Sequence, residues 1–272
     1  MVVLYPNFLY NSPMNQQELY LKVALGAAKK AGVVFKKNFG KPKHVSKKNG
    51  NYRNLVTEID KNIESLIKRE ISKSFPEHRI LGEESGWSGK TLADYTWILD
   101  PIDGTTNYIQ GLPLCCISIA LWDKRGPLIG VVYNPLSDML FSALRGKGAY
   151  LNGQKIKVSS TTDVKNAIGS FGWTDPEDGI KLYPKLVVAS RKLRVLASSV
   201  LATCFVGNGI FDYYVVPKIL IWDFAAGAAI ILEAGGKITD FQGRPFTISS
   251  KSAVISNKKI HTEILNKLKD LK

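Results

Sequence analysis

The sequence predicts an α/β (α+β) fold on three observations. Two amphipathic helical stripes open the chain, and a run of short apolar segments separated by turn residues follows. Beyond residue 160, short strands and helices alternate. The middle run suits an antiparallel-rich sheet, and the alternation suits a second half in which helices lie against a sheet. Composition turns polar from Thr161 to Lys165, so we expect an α+β subdomain over 1–160 and an α/β subdomain over 161–272.

The first helix is expected over Gln16 to Phe39, where Leu19, Val23, Ala27, Ala31, Val34 and Phe35 form one stripe that ends at Gly40 and Pro42. The polar stretch KHVSKKNGNYRN reads as a mobile loop. Thr57 and Glu58 open a second helix with Ile59, Ile63, Leu66, Ile67 and Ile71 on one face, stopped by Pro76. Strands are expected at His78 to Leu81, Tyr95 to Leu99, Cys116 to Trp122, Leu128 to Tyr133, Met139 to Leu144 and Ile156 to Ser159. Arg125-Gly126-Pro127 and Asn134-Pro135 are turn chemistries, which make three of these an antiparallel meander. The second half reads as strands at Ala167 to Phe171, Arg194 to Leu196, Tyr213 to Val216, Lys237 to Asp240 and Ala253 to Ser256. Helices are expected near Leu182 and over Ser198 to Asn208, Asp223 to Ala234 and His261 to Leu271.

Composition narrows the function classes. The chain has 272 residues, 45% hydrophobic and 22% charged, which excludes a disordered chain and suits a substantial core. No apolar run is long enough to span a bilayer, and the start lacks the basic region and cleavage site of a secretory signal. Three cysteines, two of them the adjacent Cys115 and Cys116, make no disulfide framework, so a cytoplasmic home is expected. The three histidines are scattered, so no zinc spacing exists and any metal must be held by oxygen. A net charge of +14 raises nucleic acid as a partner, but the lysines are spread along the chain and no nucleic-acid-binding module is present.

The chemistry-bearing stretch is LDPIDGTTN, residues 99–107. Pro101 fixes φ and Gly104 permits a tight turn, so Asp100 and Asp103 can converge at the end of a buried strand. Two such carboxylates repel unless a proton or a cation lies between them, and oxygen-only ligands favour a hard ion such as Mg²⁺. The competing reading is that Asp103 caps the next turn. Further acidic candidates are Glu83 and Glu84 in LGEESG, Asp223 in IWDFAAGAA and Asp60 in NLVTEID. Ordinary N-capping competes for Asp223 and surface placement for Asp60. The small residues Ala225 to Ala229 let their helix approach a neighbour closely.

GEES, WILDPIDGTTNY and WDFAAG, in this order, resemble the three motifs of the inositol monophosphatase family. NLVTEID, GVVYNP, GKGAYLNGQKIKVS and ILEAGGKITDFQG extend the likeness over residues 16–270. The resemblance implies a layered αβαβα sandwich of the sugar-phosphatase type and hydrolysis of small phosphate monoesters. It further implies roughly two to three Mg²⁺ ions per site, with Mn²⁺ able to substitute. Glu83, Asp100, the Ile102 carbonyl, Asp103 and Asp223 match the family's metal ligands. Asp60 and Thr105 match the pair that orients and deprotonates the attacking water, and Gly104 and Thr105 the amides that bind phosphate. A cytoplasmic homodimer is the corresponding expectation.

Substrate selection is where the likeness thins. At the position where inositol-selective members carry a glutamate, this chain has Val216, followed by Pro217 and Lys218. Lys218 is the candidate for a second phosphate, as in fructose 1,6-bisphosphate, against a solvent-facing lysine as the plain alternative. Ser198 and Ser199 either bind a sugar hydroxyl or cap the next helix, and Ser199 is the substrate-contact candidate. A loop lysine also serves the family's site, and Lys47 and Lys48 compete for it, with Asn49 at the ungapped position. The expected substrates are inositol monophosphate and fructose 1,6-bisphosphate, with 3′-phosphoadenosine 5′-phosphate as the alternative. The alternative from another class is a non-catalytic, basic nucleic-acid-binding protein.

Overall fold

The computed structural model of the chain describes residue 6 and residues 14–41, 44–47, 55–91, 93–173 and 175–269. Two helices come first, α1 (Gln16–Asn38) and α2 (Glu58–Ser74), each opened by a capping box, Asn15 with Glu18 and Thr57 with Asp60. Between them, β1 (Val45–Lys47) pairs antiparallel with β2 (Leu55–Thr57). Part of the segment expected to be a mobile loop is therefore a strand. Residue 43 and residues 48–54 of that segment, Lys48 included, lie outside the described residues.

The strands β3 (Arg79–Gly82), β4 (Gly86–Gly89), β5 (Thr96–Asp103), β6 (Cys116–Asp123), β7 (Gly126–Asn134), β8 (Met139–Leu144), β9 (Gly148–Leu151) and β10 (Gln154–Ile156) form one sheet. Its order is β10-β9-β8-β7-β6-β5-β3-β4, and every pairing is antiparallel except β3 with β5. The expected meander is β6-β7-β8. A short helix, α3 (Thr105–Gln110), joins β5 to β6. The last strand lies at Gln154–Ile156 rather than Ile156 to Ser159, because Asn152-Gly153 turns the chain straight back onto β9.

The second sheet has the order β12-β11-β13-β15-β14, from β11 (Ile168–Phe171), β12 (Lys192–Arg194), β13 (Tyr213–Val216), β14 (Lys237–Thr239) and β15 (Ala253–Ser256). Here β11 runs parallel to β12 and β13, and β15 runs antiparallel to β13 and β14. Its helices are α4 (Pro176–Ala189), α5 (Ser199–Gly207), α6 (Ala225–Glu233) and α7 (His261–Lys267). Helix α6 starts two residues later than expected, since Asp223 belongs to a 3₁₀ turn at Ile221–Asp223 and no side chain caps the helix.

Strand alternation decides the layers, since successive side chains point to opposite faces. On β5, Trp97 and Leu99 join a core with Leu21 and Phe35 of α1 and Ile63 and Ile67 of α2. Ile98 points the other way, into a core with Val200 and Leu201 of α5 and Ala228 and Ile231 of α6. On β13, Tyr214 and Val216 face that same central core, whereas Tyr213 and Val215 face Leu182 and Leu186 of α4 and Ile264 of α7. The result is the αβαβα sandwich, with α5 and α6 between the sheets. Close approach in this middle layer requires small residues. A Cβ on Gly130 would meet the Ala226 carbonyl oxygen at 2.2 Å, and one on Gly227 would meet Thr203 at 2.6 Å. Among the described residues, no helix is long and apolar enough to cross a membrane.

Where α7 meets this sheet, the buried His261 lies with Nε2 2.9 Å from Thr239 Oγ1 and Nδ1 2.8 Å from Ser256 Oγ. Thr239 donates its own proton to the Asp240 carbonyl, so Nε2 is the protonated nitrogen of a neutral ring and Nδ1 accepts from Ser256. Burial, with the Lys237 charge as a lesser cause, holds the imidazole down to about 4. An unfolded histidine titrates near about 6.5, so this contribution to stability is full above that pH and is lost as pH falls toward about 4. Relative to His261→Gln, wild-type protein is expected to lose up to about 3 kcal/mol of unfolding free energy between pH 7 and pH 4. Urea unfolding at the two pH values measures the difference, and equal slopes for both proteins contradict the assignment.

Candidate active site

The site begins with an irregularity in β5. Its pairing with β6 runs in step as far as Asp100 opposite Ser118 and resumes, shifted, at Asp103 opposite Cys116. Pro101 has no N–H to offer the ladder, and the Ile102 amide turns instead onto Asp100 Oδ1 at 3.0 Å. In a regular strand, residues three apart face opposite sides; this bulge brings Asp100 and Asp103 to one side. Gly104 then takes φ 83°, and a Cβ there would meet the Leu114 carbonyl oxygen at 2.9 Å, so only glycine completes the turn into α3.

Asp223 reaches the same point from the second sheet, and one oxygen of each of Asp100, Asp103 and Asp223 lies within 4.8 Å of the others. Glu83 follows β3, its amide bonded to the Leu99 carbonyl at 3.1 Å, and its side chain shares a hydrogen bond with Asp100. Asp103 is also a cap, though of a distant helix. Its carboxylate accepts from the amides of Ser199 at 3.2 Å and Val200 at 3.1 Å and from the Ser198 hydroxyl, at the start of α5. The cap expected at the next turn is not formed, since no side chain caps α3; Asp103 joins the acidic cluster and spends its hydrogen bonds on α5 instead.

Burial raises the proton affinity of three of these acids. Burial, followed by the charges of Glu83, Asp103 and Asp223, holds Asp100 well above the usual carboxylate range. Burial raises Asp103 to about 6, with the Ser198 hydroxyl and the Val200 and Ser199 amides pulling against it. Asp60 is raised by burial too, partly offset by Thr57. Such a group of hard oxygens fits a divalent cation of the Mg²⁺ or Mn²⁺ type, whose charge offsets the repulsion and whose ligand preference is oxygen.

Beside the cluster, Asp60 is only 1% exposed, so it is no surface residue. Its Oδ2 accepts from the Thr57 amide at 2.8 Å and the Thr57 hydroxyl at 2.5 Å, which leaves Oδ1 facing Thr105 Oγ1 at 3.4 Å. Thr105 Oγ1 also lies 2.9 Å from the Ile102 carbonyl oxygen. Of these groups Thr105 borders a cavity of about 280 Å³, whose lining also includes Asp103, Gly104, Ser199, Asp223 and Lys218.

Ser198 is the N-cap of α5, bonded by the Leu201 amide at 3.3 Å, whereas the Ser199 hydroxyl lies 3.0 Å from the Tyr214 hydroxyl in the cavity wall. Lys218 reaches Asp178 at 3.1 Å and Asp175 at 3.7 Å, so its ammonium is already held by two carboxylates at the start of α4. Tyr214, Phe171 and Trp173 also line the cavity, and sequence reasoning did not single them out. The alternation of β13 was the available signal for Tyr214, which shares a face with Val216. Lys47 is exposed on β1, and Leu55, on the paired strand, reaches the cavity.

The profile described as the inositol monophosphatase family matches residues 16–272. Inositol monophosphatase 1 of Solanum lycopersicum is 42% identical over 250 residues, covering 88% of this chain and 91% of the relative. The fructose-1,6-bisphosphatase/inositol-1-monophosphatase of Thermotoga maritima is 36% identical over 245 residues, covering 90% of this chain and 94% of the relative. Among solved structures, an IMPase of Thermotoga maritima superposes with a TM-score of 0.86 at 33% identity, covering 94% of this chain and 98% of its own.

The acidic cluster makes a prediction about stability. In metal-free buffer at pH 7, Asp100→Asn is expected to be at least as stable as wild type, since it removes a buried charge that its neighbours repel. Mg²⁺ or Mn²⁺ at about a hundred times its Kd is expected to stabilise wild type by about 2.7 kcal/mol and the variant by much less. Thermal unfolding with and without metal checks both, and an equal metal response in the two proteins counts against the cluster as the binding site.

Proposed function

The chain belongs to the inositol monophosphatase family, and from that premise we propose that it is a Mg²⁺-dependent phosphatase hydrolysing small phosphate monoesters, inositol monophosphate and fructose 1,6-bisphosphate among them. The observation that carries this reading is the meeting of Asp100, Asp103 and Asp223 beside a cavity that Asp103, Asp223 and Thr105 line, with Asp60 within reach of the Thr105 hydroxyl. In this reading Glu83, Asp100, the Ile102 carbonyl, Asp103 and Asp223 hold the cations. A divalent ion bound there supplies Lewis acidity, making water more acidic and offsetting phosphoryl charge.

The chain's own residues account for the proton and for orientation. A water donating to Thr105 Oγ1 passes its proton to that oxygen as the threonine's proton moves to Asp60 Oδ1, 3.4 Å away. Asp60 suits the role because burial raises its proton affinity and Thr57 locks its other oxygen, so the accepting lone pair points one way. The Gly104 and Thr105 amides lie at the first turn of α3, which no side chain caps, and they are the proposed donors to phosphate oxygens. The Ser199 and Tyr214 hydroxyls and Lys218 line the cavity and are the proposed contacts to the rest of the substrate.

One observation favours the second substrate reading, 3′-phosphoadenosine 5′-phosphate. The cavity is also lined by Phe171, Trp173, Val195 and Val216, and the two aromatic rings stack at 5.3 Å. Apolar and aromatic walls suit a flat base better than a ring of hydroxyls, which would lose hydration there without partners.

Phosphate release from inositol 1-phosphate, fructose 1,6-bisphosphate and 3′-phosphoadenosine 5′-phosphate, with and without Mg²⁺, tests the proposal. Metal-dependent turnover of at least one is expected, and inactivity on all three with metal present overturns it. Asp100→Asn is expected to abolish turnover with the circular dichroism spectrum unchanged. Thr105→Ala is expected to lower kcat by about 10² to 10⁴ with KM little changed, the size of a general-base contribution.

A further inference from the structure

Helix α2 carries a second buried carboxyl group, one turn beyond Asp60. Glu64 is 2% exposed, and its oxygens are spent on the turn that bears Glu83. Oε2 accepts from the Glu84 amide at 2.9 Å, Oε1 from the Ser85 amide at 3.1 Å, and Oε1 also accepts from the Ser85 hydroxyl. One further turn along the helix, Lys68 Nζ donates to the same Ser85 hydroxyl oxygen at 2.8 Å. On its other side the turn is tied by the Glu83 amide to the Leu99 carbonyl of β5. Glycine at position 82 is a condition of this arrangement, since a Cβ there would stand 2.5 Å from the Glu64 carboxyl carbon.

A surface carboxylate would gain little from two amides, but a buried one is held rigidly by them, because each partner left unpaired costs the full desolvation of a polar group. The Glu83 backbone is thereby clamped between α2 and β5, in the position from which its side chain meets Asp100.

We propose that Glu64 is a positioning residue for the metal centre: through the Glu84 and Ser85 amides it sets the turn that aims Glu83 at Asp100, and it thereby determines divalent-cation affinity without touching the ion. This rests on the proposed function, in which Glu83 is a ligand. It also ties both halves of the centre to one helix, since α2 positions the proton acceptor Asp60 directly and the ligand Glu83 through Glu64.

The test is Mn²⁺ binding to the full chain by titration calorimetry, with wild type, Glu64→Gln and Ser85→Ala. In Glu64→Gln an NH₂ group faces one of the two amides, so the clamp is half broken while volume is kept. Its Mn²⁺ affinity is expected to fall about 10- to 100-fold, the size typical of losing a partner that orients a ligand. Ser85→Ala, which removes one donor and leaves both amides paired, is expected to weaken binding less. Activity of Glu64→Gln on whichever ester wild type hydrolyses is expected to recover to near the wild-type kcat at high Mg²⁺, so that the change lies in the metal concentration at half-maximal rate.

Unchanged Mn²⁺ affinity in Glu64→Gln overturns the inference, as does a loss of kcat that saturating metal does not restore. Should Glu64→Gln fail to fold, Ser85→Ala decides alone: weakened binding with recovery at high metal supports the clamp, and wild-type affinity overturns it. Absence of Mn²⁺ binding by wild type is the separate outcome that removes the proposed function itself.

Discussion

The repulsion among carboxylates held out of water is the constraint on which the rest of the site depends. Asp100 and Asp103 are 2% and 7% exposed, and Asp223 and Glu83 join them from other elements. In a medium less polar than water such charges raise one another's proton affinity, and the fold must supply enough rigidity to keep them together. It does so from both sheets, with β3 and β5 delivering Glu83, Asp100 and Asp103 and the turn before α6 delivering Asp223. The β5 bulge then does locally what no regular strand allows, placing two acids three residues apart on the same side.

Hydrogen bonding makes the clustering tolerable and directional. Asp103 draws on the start of α5, Asp60 on Thr57, and the turn bearing Glu83 on Glu64. Asp103 and Asp60 are thus oriented by amides and hydroxyls, and the turn of Glu83 is fixed, before any cation or substrate is considered. The central helices contribute through their size. Alanine and glycine along α6 let it lie directly on β7, which brings the turn holding Asp223 up to the end of β5.

Much of this was legible in the residues themselves, and for identifiable reasons. Met139–Leu144, Tyr213–Val216 and Ala253–Ser256 fall where apolar runs bounded by turn residues place them, because those runs are readable without knowing what they pair with. The strands β1, β2, β4 and β9 escaped notice: β1 is wholly exposed, β2 is three residues long and runs straight into α2, and the other two are short and begin with glycine, so none carries a period to read. The acids of the cluster could be named from their motifs, yet their partners could not. Val200 lies 97 residues from Asp103, and Glu64 reads as one more charge on a lysine-rich helix until burial shows which way it points. Pairings between distant segments leave no local trace.

The cap that Asp103 provides to α5 couples two processes that would otherwise be independent. Most of its lone pairs are committed to Ser198, Ser199 and Val200, so whatever binds at the cluster also pulls on the seam between the first sheet and the middle helices. By linkage, any free energy that loading the centre adds to or takes from that seam is returned when the seam itself is altered. Substitutions buried along α5, far from any reacting atom, therefore belong to the same thermodynamic cycle as the ligands themselves.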